Sequence, residues 1–187
     1  DGAGYTIYGL SMNSASMGGL VGAVGNSGVV KNLTIRKSKF LIKEDNATND
    51  AGSIAAINKG KISNCISYAD SVKGAFAGGL VGRNIGVIEG SRSYVAKVKS
   101  GSYAGGIAAA NSGSILKSAN YGSVYASGTP VSSTSEFTQS QGETVTDPIT
   151  GETYTDGHAT TTFKMARYAG GIAASNSGII DQCENYG

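Results

Sequence analysis

Apolar residues in this chain come in short runs closed by Gly, Asn or Ser, and the runs recur in a fixed order. One phrase reads Ala104-Gly105-Gly106-Ile107-Ala108-Ala109-Ala110-Asn111-Ser112-Gly113-Ser114-Ile115, and it returns nearly unchanged from Ala169 to Ile180. Looser versions run from Ala77 to Ile88 and from Ala51 to Ile62. A fifth opens at Gly18-Gly19-Leu20-Val21-Gly22 and reaches Asn26-Ser27-Gly28 after a two-residue expansion. Self-similarity of this kind marks a stacked-repeat architecture.

The first glycine of each copy falls at 18, 52, 78, 105 and 170, so the steps are 34, 26, 27 and 65, the short ones defining the unit and the long ones carrying insertions. The runs are strand-and-turn language, with no helical period longer than a turn. A rung of two or three short strands repeated without helices predicts an all-β fold, a β-solenoid (parallel β-helix) of about five to six rungs, in which each rung contacts only its neighbours.

Repeat phase predicts what stacks on what. Leu20, Ile54, Leu80, Ile107 and Ile172 are expected to form one internal aliphatic column. Val30, Ile62, Ile88, Ile115 and Ile180 should form a second, and Val72, Val98 and Val124 a third. Asn26, Asn58, Asn84, Asn111 and Asn176 each precede a glycine by two residues. Their expected place is an inward bend where amides bond to each other as a ladder; solvent-facing turn asparagines are the alternative. Cys65 and Cys183 share a phase with Ser91 and Ser118, which marks a small buried position. Three rungs of about 4.8 Å part the two sulfurs by roughly 14 Å, beyond the about 7 Å Cα limit for a disulfide. Two free, buried thiols are expected, with neither a shared metal nor a catalytic pair.

Composition changes this picture little. The chain has 187 residues, 29 of them Gly and none Trp, so the repeat accounts for nearly all of it as a single domain, residues 1–187. No apolar segment approaches the roughly 18 residues of a membrane span, and no secretory signal opens the chain. It starts inside a strand pattern and stops inside a repeat, which reads as a monomeric fragment of a longer protein. The formal net charge is +2, yet residues 1–126 hold thirteen Lys/Arg against six Asp/Glu. Lys31, Arg36, Lys37, Lys39 and Lys43 cluster in the first expanded rung, with Lys37, Lys39 and Lys43 on one strand face and Phe40 and Ile42 on the other. The remaining lysines are scattered and lack interleaved aromatics, so nucleic acid is not an expected partner; a solvated flank is the ordinary reading.

Between rungs four and five, residues 127–162 break the pattern. Two Thr-x-Thr runs, Thr144-Val145-Thr146 and Thr153-Tyr154-Thr155, flank an Asp-Pro-x-x-Gly turn and predict a β-hairpin. The insertion carries both prolines, the single histidine and five acids. Insertions in repeat proteins map to loops on one face, often the binding face; a tolerated decoration is the alternative. The candidate ligand contacts are Thr146, Asp147, Thr150, Glu152, Tyr154, Asp156 and His158, with Tyr103 and Tyr168 nearby. Tyr68, Tyr94, Tyr121 and Tyr186 share another phase and would serve only to cover a strand edge. Catalytic chemistry finds no foothold. One histidine cannot build a multi-histidine metal site, and His-Glu-x-x-His, Gly-x-Ser-x-Gly and phosphate-loop motifs are missing. Asp70 and Glu89 are one rung apart but out of phase, and Asp181 and Glu184 lie near the end, so paired carboxylates for glycoside cleavage are not evident. Asp147, Glu152 and Asp156 match no calcium-loop spacing. No cofactor and no metal are expected.

Gly19-Leu20-Val21-Gly22 and Gly79-Leu80-Val81-Gly82, each followed by Asn-x-Gly, resemble the GLUG motif repeat, a name that spells Gly-Leu-hydrophobic-Gly. All five copies share it, with the downstream Asn-x-Gly-x-Ile-x-x-Cys complete only at Cys65 and Cys183. Ser53 replaces the opening glycine in one copy, and Ala56, Ala109 and Ala174 replace the closing one. Such repeats occur in large exported bacterial surface proteins, including adhesins resembling filamentous haemagglutinin and the non-catalytic part of immunoglobulin A-cleaving metallopeptidases. The resemblance implies an extracellular location, at the bacterial surface or secreted, and a non-enzymatic adhesive or stalk role toward a host or neighbouring-cell glycan or protein. The alternative it implies is a spacer or substrate-docking module of a secreted metallopeptidase. It supplies no catalytic residues.

Overall fold

The computed structural model describes residues 1–14, 16–43, 49–126, 144–146, 153–155 and 168–187. Two compact units divide the chain: Asp1–Thr129 with Arg167–Gly187, and Pro130–Ala166. No helix occurs among the described residues.

In the first unit, runs of two to nine residues lie between bends, and each run pairs in parallel with its counterpart one repeat away. Four sheets result. One holds Thr6–Tyr8, Thr34–Arg36, Ile66–Tyr68, Arg92–Ser93, Ala119–Asn120 and Glu184–Asn185. The second holds Ser11–Ser14, Lys39–Ile42, Ser71–Gly78, Lys97–Gly105 and Ser123–Ala126, with Asp50–Gly52 and Tyr168–Gly170 pairing to the two long strands. The third holds Val21–Val24, Ala55–Asn58, Val81–Asn84, Ala108–Asn111 and Ala173–Asn176. The fourth holds Val29–Lys31, Lys61–Ser63, Val87–Glu89, Ser114–Leu116 and Ile179–Asp181. The fold is the expected parallel β-solenoid. From the first repeat phrase to the last, the five strands of the third sheet enclose about four full turns, slightly fewer than the five to six rungs read from the sequence.

Glycine makes the corner between the second and third sheets. A Cβ on Gly78, Gly105 or Gly170 would run into the carbonyl of Val81, Ala108 or Ala173, so only a bare Cα lets the chain fold back this sharply. The corner between the fourth and first sheets uses another device. Ala3, Asn32, Asn64, Gly90, Lys117 and Gln182 all take φ between 47° and 57° there, one left-handed residue per turn.

Inside the coil like stacks on like. Ile54, Leu80 and Ile107 form one column and Ile62, Ile88 and Ile115 the next, each fully buried, and Val72 and Val98 fill a third. Burying such a side chain contributes about 1.5–3 kcal/mol. End members are wetter: Leu20, Ile172 and Val30 are half-buried and Ile180 is 37% exposed.

The asparagine ladder is present. Asn58 Nδ2 donates to Asn84 Oδ1 at 2.7 Å, Asn84 Nδ2 to Asn111 Oδ1 at 2.7 Å, and Asn111 Nδ2 to Asn176 Oδ1 at 2.6 Å. Each amide also donates to a turn carbonyl, as Asn84 Nδ2 does to Ser114 at 3.2 Å. Asn26 does not join it. The two-residue expansion carries Asn26 out to an exposed turn, and Val24 takes the position opposite Asn58.

Both thiols are free. Cys65 is buried as expected, whereas Cys183, on the terminal rung of the described stack, is only half-buried. Their hydroxyl equivalents explain the phase: Ser91 Oγ donates to the Glu89 carbonyl at 3.0 Å and Ser118 Oγ to that of Leu116 at 2.8 Å. The sulfurs make the same contact, at 3.4 Å from Cys65 to Ser63 and 3.3 Å from Cys183 to Asp181. Burial pushes both thiols up.

The ladder predicts a graded response. Asn84→Ala removes a donor and an acceptor from fully buried partners and should cost roughly 2–4 kcal/mol, read by urea denaturation. Asn176→Ala, on the exposed rung, should cost under about 1 kcal/mol.

Candidate functional site

Outward positions stack as strictly as inward ones. Tyr68, Tyr94, Tyr121 and Tyr186 follow one another in phase on the first sheet, with ring centroids 4.7, 4.4 and 4.8 Å apart and planes within 12° of parallel. The Arg36 guanidinium lies 4.0 Å over the Tyr68 ring and closes one end of the stack. Ring faces are therefore spent on one another, and the phenol edges turn to solvent. Tyr186, at the free end, is 63% exposed and donates to Glu184 Oε2 at 2.9 Å, a bond that pushes its phenol up.

A second stack lies on the far half of the second sheet. Phe76 and Tyr103 stack at 4.6 Å, and Tyr103 and Tyr168 at 5.1 Å. Tyr103 and Tyr168 were sequence candidates and are brought together; Phe76 completes the stack. Its signal was an aromatic-Ala-Gly triplet opening the last three repeats: Phe76-Ala77-Gly78, Tyr103-Ala104-Gly105 and Tyr168-Ala169-Gly170. The strand Lys97–Gly105 carries one extra residue between Ser100 and Tyr103 relative to Gly74 and Phe76, a bulge that lies upstream of the triplet and leaves its phase intact. Arg83 lies 4.2 Å over Phe76, and its Nε donates to Asp50 Oδ1 at 2.9 Å. The Asp50 side chain is 2% exposed, and desolvation raises its carboxyl to about 6, against the lowering effect of the Arg83 charge and hydrogen bond.

The large variation in turn length collects beside this second stack, whereas the two-residue expansion at Asn26 lies between the third and fourth sheets. Asn13, Leu41, Lys73, Lys99 and Tyr125 form one column, and Gly18, Ala51, Ala77, Ala104 and Ala169 the next. Between them the chain takes 5, 10, 4, 5 and 44 steps, whereas the rest of each turn takes 23, 22, 22 and 21. Both expansions, after Ile42 and after Ala126, thus leave the solenoid at one angular position.

In the second unit, Thr144–Thr146 pairs antiparallel with Thr153–Thr155, with Val145 opposite Tyr154, as the expected hairpin requires. Thr146 and Tyr154 lie on these strands. Asp147, Thr150, Glu152, Asp156 and His158 lie outside the described residues.

Among the described residues, Glu89 lies on the fourth sheet and Asp70 at the bend before Ser71 of the second. Glu89 is held by Lys61 at 2.8 Å, which keeps its carboxyl below the usual range, and Asp70 stands exposed at a corner of a different sheet. Among the described residues no three His, Cys, Asp or Glu gather as metal ligands, and no helix is long and apolar enough to cross a membrane. Lys39 and Lys43 share an exposed strand face opposite buried Phe40 and Ile42, as expected, but Lys37 sits at a corner with φ 48°.

No protein-family model matches the chain, and no curated protein matches it. Among solved structures, it is similar to a "putative immunoglobulin A1 protease" from Bacteroides ovatus, with 20% identity and a TM-score of 0.45. The alignment covers 65% of this chain and 50% of that one.

Asp50 generates a pH prediction. Its folded-state carboxyl at about 6 lies above the ordinary 3.8, so the native state holds that proton more tightly than the unfolded chain. Stability contributed here is full below about pH 4 and falls as pH rises to about 6, by at most about 3 kcal/mol. Asp50→Asn should remove that decline, measured as the difference between the two proteins' urea midpoints across the range.

Proposed function

We propose that this chain is a non-enzymatic contact module of an exported bacterial surface protein. A stiff solenoid would present columns of side chains and an inserted hairpin to a glycan or protein outside the cell. The observation that carries the reading is the single exit point. Core turns hold their length within two residues, while the two long expansions, after Ile42 and after Ala126, both leave beside the Phe76, Tyr103 and Tyr168 stack. A scaffold that fixes one face and varies another is how repeat proteins separate stability from recognition. The resemblance of the repeat phrase to GLUG repeats supports the same reading. Thr146, Asp147, Thr150, Glu152, Tyr154, Asp156 and His158 remain the proposed contacts on the insertion.

The test is an array of host glycans and extracellular-matrix proteins, probed with the whole chain and with a variant whose residues 128–162 are replaced by a short Gly-Ser link. Binding by the whole chain that the variant loses supports an adhesive module with its site on the insertion. No binding by either, with the variant still folded, overturns the adhesive reading in favour of a spacer.

A further inference from the structure

The near half of the second sheet carries a regular comb of charge. Its outward column reads Ser11, Lys39, Ser71, Lys97 and Ser123 in paired register, a lysine on every second rung. The neighbouring outward column adds Lys99, one strand residue away from Val98, and ends on Tyr125. Lys39 and Lys97 are exposed, and neither they nor Lys99 has an ion-pair partner among the described residues. Lys73, between them, has a partner already and is not needed. Among the described residues Asp1 pairs with Lys31, Glu89 with Lys61 and Asp50 with Arg83, and Glu184 accepts from Tyr186. Asp70, at the corner before Ser71, is the acid that flanks this face. Among the described residues the sheet therefore offers a positive field that Asp70 offsets only in part; Glu44 and Asp45, which follow Lys43, lie outside them.

Spacing narrows the partner. Two rungs separate Lys39 from Lys97, roughly 9.6 Å, close to the rise of one disaccharide in an extended β-linked glycan. The intervening serine hydroxyls both donate and accept, as sugar hydroxyls require. Tyr125 is 49% exposed and, unlike the stacked tyrosines, has no ring against it among the described residues. Its face is free to pack on the apolar side of a sugar ring. We infer that this face binds a linear acidic polysaccharide with one carboxylate per disaccharide, held by Lys39, Lys97 and Lys99 and stacked on Tyr125. The inference rests on the adhesive reading and names its ligand class, but places it on the solenoid rather than the insertion. Phosphate spacing in a single-stranded nucleic acid is finer than this comb, which favours the polysaccharide.

The test is calorimetric titration of the whole chain with a hyaluronan decasaccharide, a neutral chitin oligosaccharide and a single-stranded oligonucleotide. Hyaluronan should bind, weaken with added salt, and bind at least about tenfold less tightly, about 1.4 kcal/mol, to the K39Q/K97Q/K99Q variant. A control of equal charge, K59Q/K61Q/K117Q, should keep full affinity, and Tyr125→Ala should weaken binding without changing its salt dependence. Equal loss in both triple variants, unchanged binding in K39Q/K97Q/K99Q, or tighter binding of the oligonucleotide would overturn the inference. The 128–162 replacement separates the two ideas: it should keep hyaluronan binding. Binding of the neutral oligosaccharide alone would spare the adhesive reading while overturning this one.

Discussion

Parallel, in-register pairing of each turn with the next is the constraint from which the other features follow. Because counterparts one repeat apart lie directly over one another at about 4.8 Å, a residue type chosen once is repeated as a column. Inside, that yields the Ile54, Leu80 and Ile107 column and the Asn58, Asn84 and Asn111 ladder, whose members are at most 2% exposed. A buried amide is tolerated only when donor and acceptor are both satisfied. The neighbouring rung supplies both, so the ladder works only as a series. Gly78 and Gly105 keep each corner tight enough for the register to hold.

The same rule governs the outer surface, where it has chemical consequences. Stacked tyrosines cover each other's faces and leave only edges, so Tyr68 and Tyr94 are better understood as stiffening the sheet than as a platform for a ligand. In the Ser11, Lys39, Ser71, Lys97 and Ser123 column, lysines separated by serines avoid the like-charge repulsion that direct stacking imposes on Lys73 and Lys99 next to it, and the alternation creates a spacing that a polymer can match. The bulge between Ser100 and Tyr103 and the two long expansions share one stretch of the turn, between the Lys73 and Lys99 column and the Ala77 and Ala104 column, away from the aliphatic columns.

Much of this was legible in sequence wherever a column kept its spelling. The three aliphatic columns, the asparagine ladder from Asn58 onward and the free thiols followed from phase, and the hairpin from two Thr-x-Thr runs around a turn. Phase failed where insertions changed the count. Asn26 has the right neighbours in sequence, but an extra two residues put Val24 in its place. Phe76 was in phase, two residues before Gly78 as Tyr103 is before Gly105, but its change of residue type from tyrosine kept it out of the candidate contacts. Stack ends were also opaque: the exposure of Cys183 and Ile180 goes with their place on the terminal rung of the described stack, which local spelling does not encode. The Asp50 and Arg83 pair joins residues 33 positions apart in different phases, so no repeat signal announced it.

The claim on which the account turns is that register survives the long excursion, so that residues 168–187 stack as the next rung after Ala126. Amide hydrogen exchange tests it directly. The amides of Gly106, Ile107 and Ala108 donate to the carbonyls of Gly170 and Ile172, at 3.0, 2.9 and 3.1 Å. In the whole chain these three should exchange slowly, alongside the Leu80 and Val81 amides that donate to Ile107. In a chain ending at Ala126 they should exchange fast while Leu80 and Val81 stay protected. Fast exchange at Gly106, Ile107 and Ala108 in the whole chain would contradict the continuous stack.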